Sequence, residues 1–538
     1  MKIFIGGAWP YANGSLHLGQ IAAVLPGDIL ARYFRLKGAD VLYVSGSDCH
    51  GTPISIRAVK ENTTPKSITD RYHNEFKQCF EKLGFSYDLY YRTDHDFHKS
   101  EVQDVFLELY EKGYIYKKVI EQTFCTQCNQ FLPDRYVNGI CPNCGNTARG
   151  DQCDFCSSLL EPLELKDRTC GICGNTPVTK ETEHLFFALS KLQGFIEDFV
   201  KSSEGWRLNA IKQSNRYLDE GLVDRSVTRD LPWGIEVPVR GFEDKKIYVW
   251  IDAILGYLTA SKLHCNFKNS RWEDFWDGDV RSYYVHGKDN IPFHSIILPA
   301  ILYAIGLKPP DRIISSEYLT IEGKKLSTSN NWAVWVPDVI ERYNPDSLRY
   351  FLIANGPEKR DTDFSWREFV NSHNGELLGA FGNLVNRTVV FANKYFGQKV
   401  PEGEYSLQVK EDIYNLYETT GKKIENGEFK AAIEEIFSFI RGANKYYDEE
   451  KPWITLKTEP YKCQSTIYTC IQIIANLSNL LSPFIPFSCA KLRKMLNVSA
   501  AAWKSIIVSP NTELNESELL FERIDKSVVE EEMAKLGR

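Results

Sequence analysis

The sequence predicts an α/β protein: a parallel sheet with crossover helices, interrupted by an inserted cysteine-rich module and followed by an α-helical bundle. Three observations predict it. Strand and helix patterns alternate over residues 1–116. Four Cys-x-x-Cys pairs crowd between Cys125 and Cys173. Strand signals fade after about residue 370, where long helical periods take over. At roughly 100–200 residues per domain, a chain this long holds three or four.

Ile3–Ile5 is a short apolar strand, and the loop Gly6–Ser15 is rich in Gly, Pro and Asn. From Ser15 a helical pattern runs through Leu18, Ile21, Leu25, Ile29 and Leu30 to about Leu36, with Ser15 as its expected cap. Val41–Val44 is the next strand. Strand–helix–strand order implies a parallel sheet. The sheet pattern is expected to resume at Tyr248–Ile251, Ser282–Val285 and Ile313–Ile321. Phe429–Tyr447 and Ile467–Leu481 carry apolar residues at helical spacing. The charged stretch from about Glu516 ends in a short helix.

Bulk properties exclude some classes. The apolar run at the N-terminus is too short for a signal-peptide core. The most apolar stretch, Ile296–Leu307, falls short of the ~18 residues of a membrane helix. A cytoplasmic enzyme is expected. The net charge of −7 argues mildly against a nucleic-acid partner, yet an acidic excess elsewhere is compatible with a local basic groove. Disulfide scaffolds are small and secreted; clustered cysteines in a large unexported chain point to metal.

The cysteine pairs are Cys125/Cys128, Cys141/Cys144, Cys153/Cys156 and Cys170/Cys173. Each turn presents two thiolates on one side, and two turns complete a tetrahedral zinc site. Eight ligands make two sites. Three pairings are open; the nested one joins the inner pairs on one ion and the outer pairs on the other. All-thiolate sites leave no open position for water, so the zinc is expected to be structural.

Two loops carry nucleotide chemistry. Pro10–Gln20 lies between a strand and a helix, where free N–H groups and the helix dipole favour phosphate. Gly14 and Gly19 allow close backbone approach, and His17 falls in the first turn, able to donate to a phosphate oxygen. Gly323–Ser329 offers two lysines and several hydroxyls on a loop after a strand. Four further segments, opening at Ala8, Ser47, Tyr248 and His286, bring aromatic and acidic residues to expected carboxyl ends of strands, where ligands gather in open α/β sheets. On the helical half, Asn383 and Arg387 stand four residues apart and share a face. Asn and Arg read base edges, and an exposed Trp453 would stack an unpaired base.

These motifs resemble one family. Pro10-Tyr-Ala-Asn-Gly-Ser-Leu-His-Leu-Gly-Gln20 is similar to the His-Ile-Gly-His element of class I aminoacyl-tRNA synthetases, in the version carried by the methionyl-tRNA synthetases. Gly323-Lys-Lys-Leu-Ser-Thr-Ser329 is similar to their Lys-Met-Ser-Lys-Ser loop. Val227–Gly234 and Gly287–His294 look closer to the archaeal and eukaryotic branch. The resemblance implies a Rossmann-type catalytic domain at 1–116 and 241–320, split by a connective insertion at 117–240 with zinc knuckles. A loop and stem-contact region at 321–370 and a helical anticodon-binding domain at 371–538 follow.

It implies ATP-dependent activation of L-methionine to methionyl-adenylate, and transfer to tRNA(Met). His17, Gln20, Lys325 and Thr328 would be catalytic. Asn13, Gly14, Gly19, Gly287, Asp289 and Lys324 would join them around ATP and its Mg²⁺. Trp9, Tyr11, Asp48, Trp250, Ala253, Ile254, Tyr257 and His294 would hold methionine, with Asp48 on the α-amino group. Asn383, Arg387 and Trp453 would read the CAU anticodon. The nested zinc pairing fits the family, its inner site being the more general. Gln20 and Thr328 stand where the family has a second histidine and a second lysine. Both replacements remove positive charge. No C-terminal oligonucleotide-binding dimerisation domain is visible, so a monomer is expected. Isoleucine, leucine and valine enzymes carry an editing insert for which there is no room. A zinc-containing RNA-binding protein without catalysis would leave the two nucleotide loops unexplained.

Overall fold

A computed structural model describes residues 1–132, 136–150, 153, 155–156, 160–328, 330–499 and 501–537. Its centre is a five-stranded, wholly parallel sheet. In chain order the strands are β1 (Lys2–Gly7), β2 (Asp40–Ser47), β3 (Leu89–Arg92), β6 (Val280–Gly287) and β7 (Arg312–Ser316); β4 (Ile115–Cys125) and β5 (Val178–Phe187) belong to the insertion. The spatial order is β7-β6-β1-β2-β3. Chain direction across the sheet reverses between β1 and β6, which opens a crevice at their carboxyl ends. Ile3, Phe4 and Ile5 are all buried. This is the continuous apolar run expected of a parallel strand covered on both faces.

The helices that position the site are α1 (Leu18–Leu36), α2 (Asp96–Glu111), α3 (Val249–Lys268), α4 (Pro345–Ala354), α5 (Asn383–Tyr395), α6 (Phe429–Glu450) and α7 (Pro460–Leu480). β4 and β5 form a long antiparallel ribbon that carries the cysteine module. Two short parallel strands, β8 (Leu319–Ile321) and β9 (Thr362–Phe364), flank the second nucleotide loop.

Three expectations need correction. Ser15 does not cap α1; His17 occupies the cap position. Residues 16–18 are held extended because Leu16 O accepts from Val336 N at 2.8 Å and Leu18 N donates to Val334 O at 3.0 Å. Tyr248–Ile251 is no strand of the sheet. Only Lys246–Ile247 is extended, pairing antiparallel with Thr228–Arg229, and Val249 opens a 20-residue helix. That helix is apolar nearly all round, so periodicity could not separate it from a buried strand. Ile313–Ile321 is two strands. Glu317 N bonds Pro357 O and Tyr318 N bonds the Asp361 carboxylate, which turns the chain out of the main sheet.

The α/β half and the bundle share one hydrophobic core, and a buried ion pair pins them together. Arg349 on α4 reaches Asp28 on α1 at 2.7 Å, with exposures of 1% and 0%. The guanidinium also donates to the carbonyls of Leu83, Pro483 and Phe484. Asp28 accepts from Arg32 and from the backbone and hydroxyl of Ser86. Burial pushes the Asp28 carboxyl up, but Arg349, Arg32 and Ser86 outweigh it and hold it at about 2. A carboxyl depressed on folding contributes stability that is whole above its unfolded value, 3.8, and drains as pH falls towards 2. Arg349→Ala leaves Asp28 buried beside a single arginine and is expected to cost about 3–5 kcal/mol. Chemical denaturation at pH 7 measures this, and repeating it at pH 3 should show a smaller difference.

Candidate active site

The carboxyl ends of β1, β2 and β6 are stitched by main-chain bonds. Ala8 N donates to Val285 O at 2.9 Å, Asp48 N to Pro10 O at 2.9 Å and Ala12 N to Asp48 O at 2.8 Å. Gly51, with φ +105°, lets the chain turn sharply into the helix Thr52–Lys60. The second nucleotide loop folds back at Ser327/Trp332 and then pairs with the start of α1, His17 lying opposite Trp335. A side chain on Gly19 would come within 3.5 Å of Leu326. The loop that bears Lys325 is therefore packed against the start of α1 that bears His17, more than three hundred residues away in the chain, and Tyr11 pairs with Asp48 at the end of β2.

Burial lowers His17 to about 4, so its imidazole is neutral at pH 7. Its Nδ1 is buried without a partner among the described residues. Gln20 Oε1 accepts the His17 backbone N–H at 3.0 Å, closing the first turn of α1. The Asn13 carbonyl accepts from Arg57 at 2.5 Å, and Gly14 lies against the same guanidinium. Lys325 and Thr328 are exposed on the loop, while Lys324 sits 4.2 Å over the Trp332 ring; Ser329 lies outside the described residues. Gly287 approaches Ala23 of α1. Asp289 bonds the Tyr318 hydroxyl at the rim, and Lys288 stacks on that same ring.

Deeper in, Trp9 meets Tyr257 edge-on at 6.3 Å. His294 lies in a π-helical turn, Phe293–Ile297, a feature frequent at functional sites. Burial lowers it to about 4. Its Nδ1 faces the Asn290 carbonyl at 2.8 Å, which can only accept. The neutral ring therefore carries its proton on Nδ1, and Nε2 accepts from the Tyr257 hydroxyl at 2.8 Å. Trp250 is exposed, its ring 4.4 Å from that of Phe293. Ala253 is half-buried and Ile254 is buried in the core of this half. Asp48 is buried, and burial, with Asp252 beside it, raises its carboxyl well above the usual range.

In the insertion the thiols gather as Cys125, Cys128, Cys170 and Cys173, and as Cys141, Cys144, Cys153 and Cys156. Sulfur–sulfur distances of 3.5–3.9 Å match the ~3.8 Å edge of a tetrahedron with metal–sulfur bonds of about 2.3 Å. Each set could hold a metal ion.

Comparison with known proteins decides the family. Residues 3–389 match the model of the class I tRNA synthetases for methionine, and residues 398–536 match the anticodon-binding domain of methionyl-tRNA ligase. The chain is 59% identical over 540 residues to methionine–tRNA ligase 1 of Alkaliphilus oremlandii, covering 100% of both. The chain belongs to the class I methionyl-tRNA ligases. A Bacillus mycoides ligase is 57% identical over 100% of this chain and 99% of its own length. These relatives are bacterial, although two segments resemble the archaeal and eukaryotic form. A Mycobacterium tuberculosis methionyl-tRNA synthetase, solved with methionyl-adenylate, shares the fold with TM-score 0.82 at 23% identity, over 97% of this chain and 100% of that one.

On the ligase's helical half, α5 carries Asn383 and Arg387 side by side. Arg387 lies 4.0 Å over Tyr447 and bonds Asp448 and the Asn444 carbonyl. Tyr447 stacks on Trp453 at 6.3 Å, and Asn383 bonds Asn444. Trp453 is 51% exposed, projected by a left-handed Lys451 and by Pro452 at the start of a new helix. Sequence reasoning missed Asn444 and Tyr447, although their spacing on α6 shows them sharing a face. It also missed Arg57, Phe293, His50, His98 and Asp252. Asp252 had a signal: it is the one charge inside the apolar run Tyr248–Tyr257.

A Cβ on Gly256 would stand 2.7 Å from the Trp9 ring. Gly256→Ala gains about 1 kcal/mol of helix propensity but must push Trp9 towards Tyr257. Steady-state kinetics should show a methionine KM raised about tenfold, near 1.4 kcal/mol, with the ATP KM unchanged.

Proposed function

We propose that this cleft activates L-methionine with ATP and that the two nucleotide loops divide the work. The observation that supports the reading is the packing of the Lys325 loop against the start of α1 at His17, with Tyr11 paired to Asp48. The methionine carboxylate attacks the α-phosphorus, giving methionyl-adenylate and diphosphate. A ribose hydroxyl at the tRNA terminus then attacks the carbonyl and AMP leaves. No side-chain nucleophile is needed; positioning and electrostatics carry both steps.

His17 acts as a neutral hydrogen-bond donor to the phosphates rather than as a cation. Asn13, Gly14 and Gly19 admit the triphosphate to the start of α1, with Gln20 setting that start. Lys325 supplies charge to the leaving diphosphate, Thr328 a hydroxyl, and Lys324 a second ammonium held over Trp332. Gly287 and Asp289 flank the adenosine, and Mg²⁺ enters with the nucleotide. Asp48 takes the substrate ammonium. Trp9, Tyr11, Trp250, Ala253, Ile254, Tyr257 and His294 enclose the thioether, whose sulfur favours aromatic edges. The protein is proposed to act as a cytoplasmic monomer.

Asn383, Arg387 and Trp453 are proposed to read the anticodon of tRNA(Met). Pyrophosphate exchange with each amino acid tests the activation, and methionine alone should support it. Trp453→Ala should leave exchange unchanged and lower kcat/KM for tRNA by 10–100-fold, taking about 1–3 kcal/mol for one stacked base. Equal loss in both assays would refute the assignment.

The two thiol sets are proposed to hold structural zinc, stapling a module whose small core of Leu132, Val137, Leu160 and Leu165 gives little stability alone. Elemental analysis should find two zinc ions per chain, and Cys128→Ser should leave one.

A further inference from the structure

Behind the methionine pocket lies a buried cluster of charge. Asp252, on the first turn of α3, is fully buried, and each carboxylate oxygen has a histidine: Oδ2 lies 3.0 Å from His50 Nδ1 and Oδ1 lies 3.2 Å from His98 Nε2. His50 comes from the loop after β2 and His98 from α2. The His98 Nδ1 is 2.7 Å from the Thr259 hydroxyl, about two α3 turns beyond Asp252. The same hydroxyl lies 3.2 Å from the Gly256 carbonyl, which can only accept, so a neutral His98 that presents Nε2–H to Asp252 requires the Thr259 proton to turn from that carbonyl to Nδ1. Burial lowers His98, which favours this neutral form. Asp252 is thus a buried carboxylate held between two imidazole nitrogens.

Asp48 stands next to it. Its carboxylate accepts from the His50 backbone N–H at 3.2 Å, yet among the described residues no lysine, arginine or histidine forms an ion pair with it. The other charges nearby are already matched: Asp94 is paired with Arg92, and Tyr11 is a neutral phenol that burial and Asp48 keep protonated. Two buried carboxylates without a cation are costly. Among the described residues, the pair lacks one positive charge.

We propose that Asp252, clamped by His50 and His98, is a positioning and specificity residue: a second fixed anion that reserves the Asp48 site for a protonated amine. The proposal rests on the reading that Asp48 receives the substrate ammonium. Asp252 acts through Asp48 and does not itself touch substrate. Without ligand, the pair relieves its repulsion by retaining a proton on Asp48. The arriving ammonium replaces that proton, so methionine binding releases it. A substrate analogue without the amino group gains nothing from the pair and must bury its own carboxylate near two others.

The experiment compares Asp252→Asn and Asp48→Asn in the full-length enzyme by pyrophosphate exchange across pH 6–9. Asp252→Asn should raise the methionine KM at least tenfold at pH 7.5, with the ATP KM within about twofold. The acid limb of kcat/KM for methionine should move to lower pH, because Asp48 loses its repelling neighbour. Discrimination between methionine and 4-(methylthio)butanoate, measured by competition, should narrow. A raised KM in Asp48→Asn together with an unmoved KM and pH profile in Asp252→Asn overturns the proposal. An unmoved KM in Asp48→Asn overturns the reading of the pocket and this proposal with it. A fold defect in Asp252→Asn does not remove the test. Calorimetry of methionine binding to the wild-type enzyme, in buffers of different ionisation enthalpy, should show proton release within the range pH 6–8. No proton exchange anywhere in that range overturns the proposal.

Discussion

The Asp28–Arg349 pair fixes the axis on which the active site is built. α1 begins at His17 and ends at Leu36, and Asp28 sits midway along it. A charge pair this deep is tolerable only when every remaining donor and acceptor is used. Here the guanidinium spends itself on Asp28 and on the carbonyls of Leu83, Pro483 and Phe484. The same few atoms thereby tie α1 to the loop after residue 82, to α4 and to the turn after α7. A shift of α1 along its axis would break all of these bonds together. The end of the helix that faces the nucleotide cleft is held by contacts made three turns away.

At that end the chemistry is one of neutral donors and local fields. His17 is buried and uncharged at pH 7, and the start of α1 adds its own N–H groups and dipole. Positive charge is left to the exposed Lys324 and Lys325 on the loop after β8. A fixed neutral floor and a charged loop suit a reaction in which charge builds on a departing diphosphate. Around Asp48 and Asp252 the balance is inverted: both carboxylates are buried, and among the described residues neither has a lysine or arginine ion pair.

The legible parts of the molecule were those that local pattern controls. β1 and β2 read correctly because a parallel strand buried on both faces is a plain apolar run. α6 and α7 read correctly because their apolar stripe recurs over many turns. The cysteine pairs were visible, and folding chose the nested grouping among three. The failures were equally physical. Tyr248–Ile251 opens a helix that is apolar nearly all round, so no period marked it. The cap of α1 moved from Ser15 to His17 because residues 334–336 hold the preceding residues extended, an effect from the far end of the domain. Asn444 and Tyr447 escaped notice because their place beside Asn383 and Arg387 is made only by the packing of α5 on α6.

By itself the sequence determined the fold class, the order of the parts and the identity of the groups that bear chemistry, since these depend on short-range periods and on motifs within ten or so residues. Only the tertiary structure decided which groups act together. It set His17 against the Lys325 loop, placed His50 and His98 around the Asp252 carboxylate, and made His17 and His294 neutral. Burial and proximity across hundreds of residues set those fields, and no local window of the chain contains them.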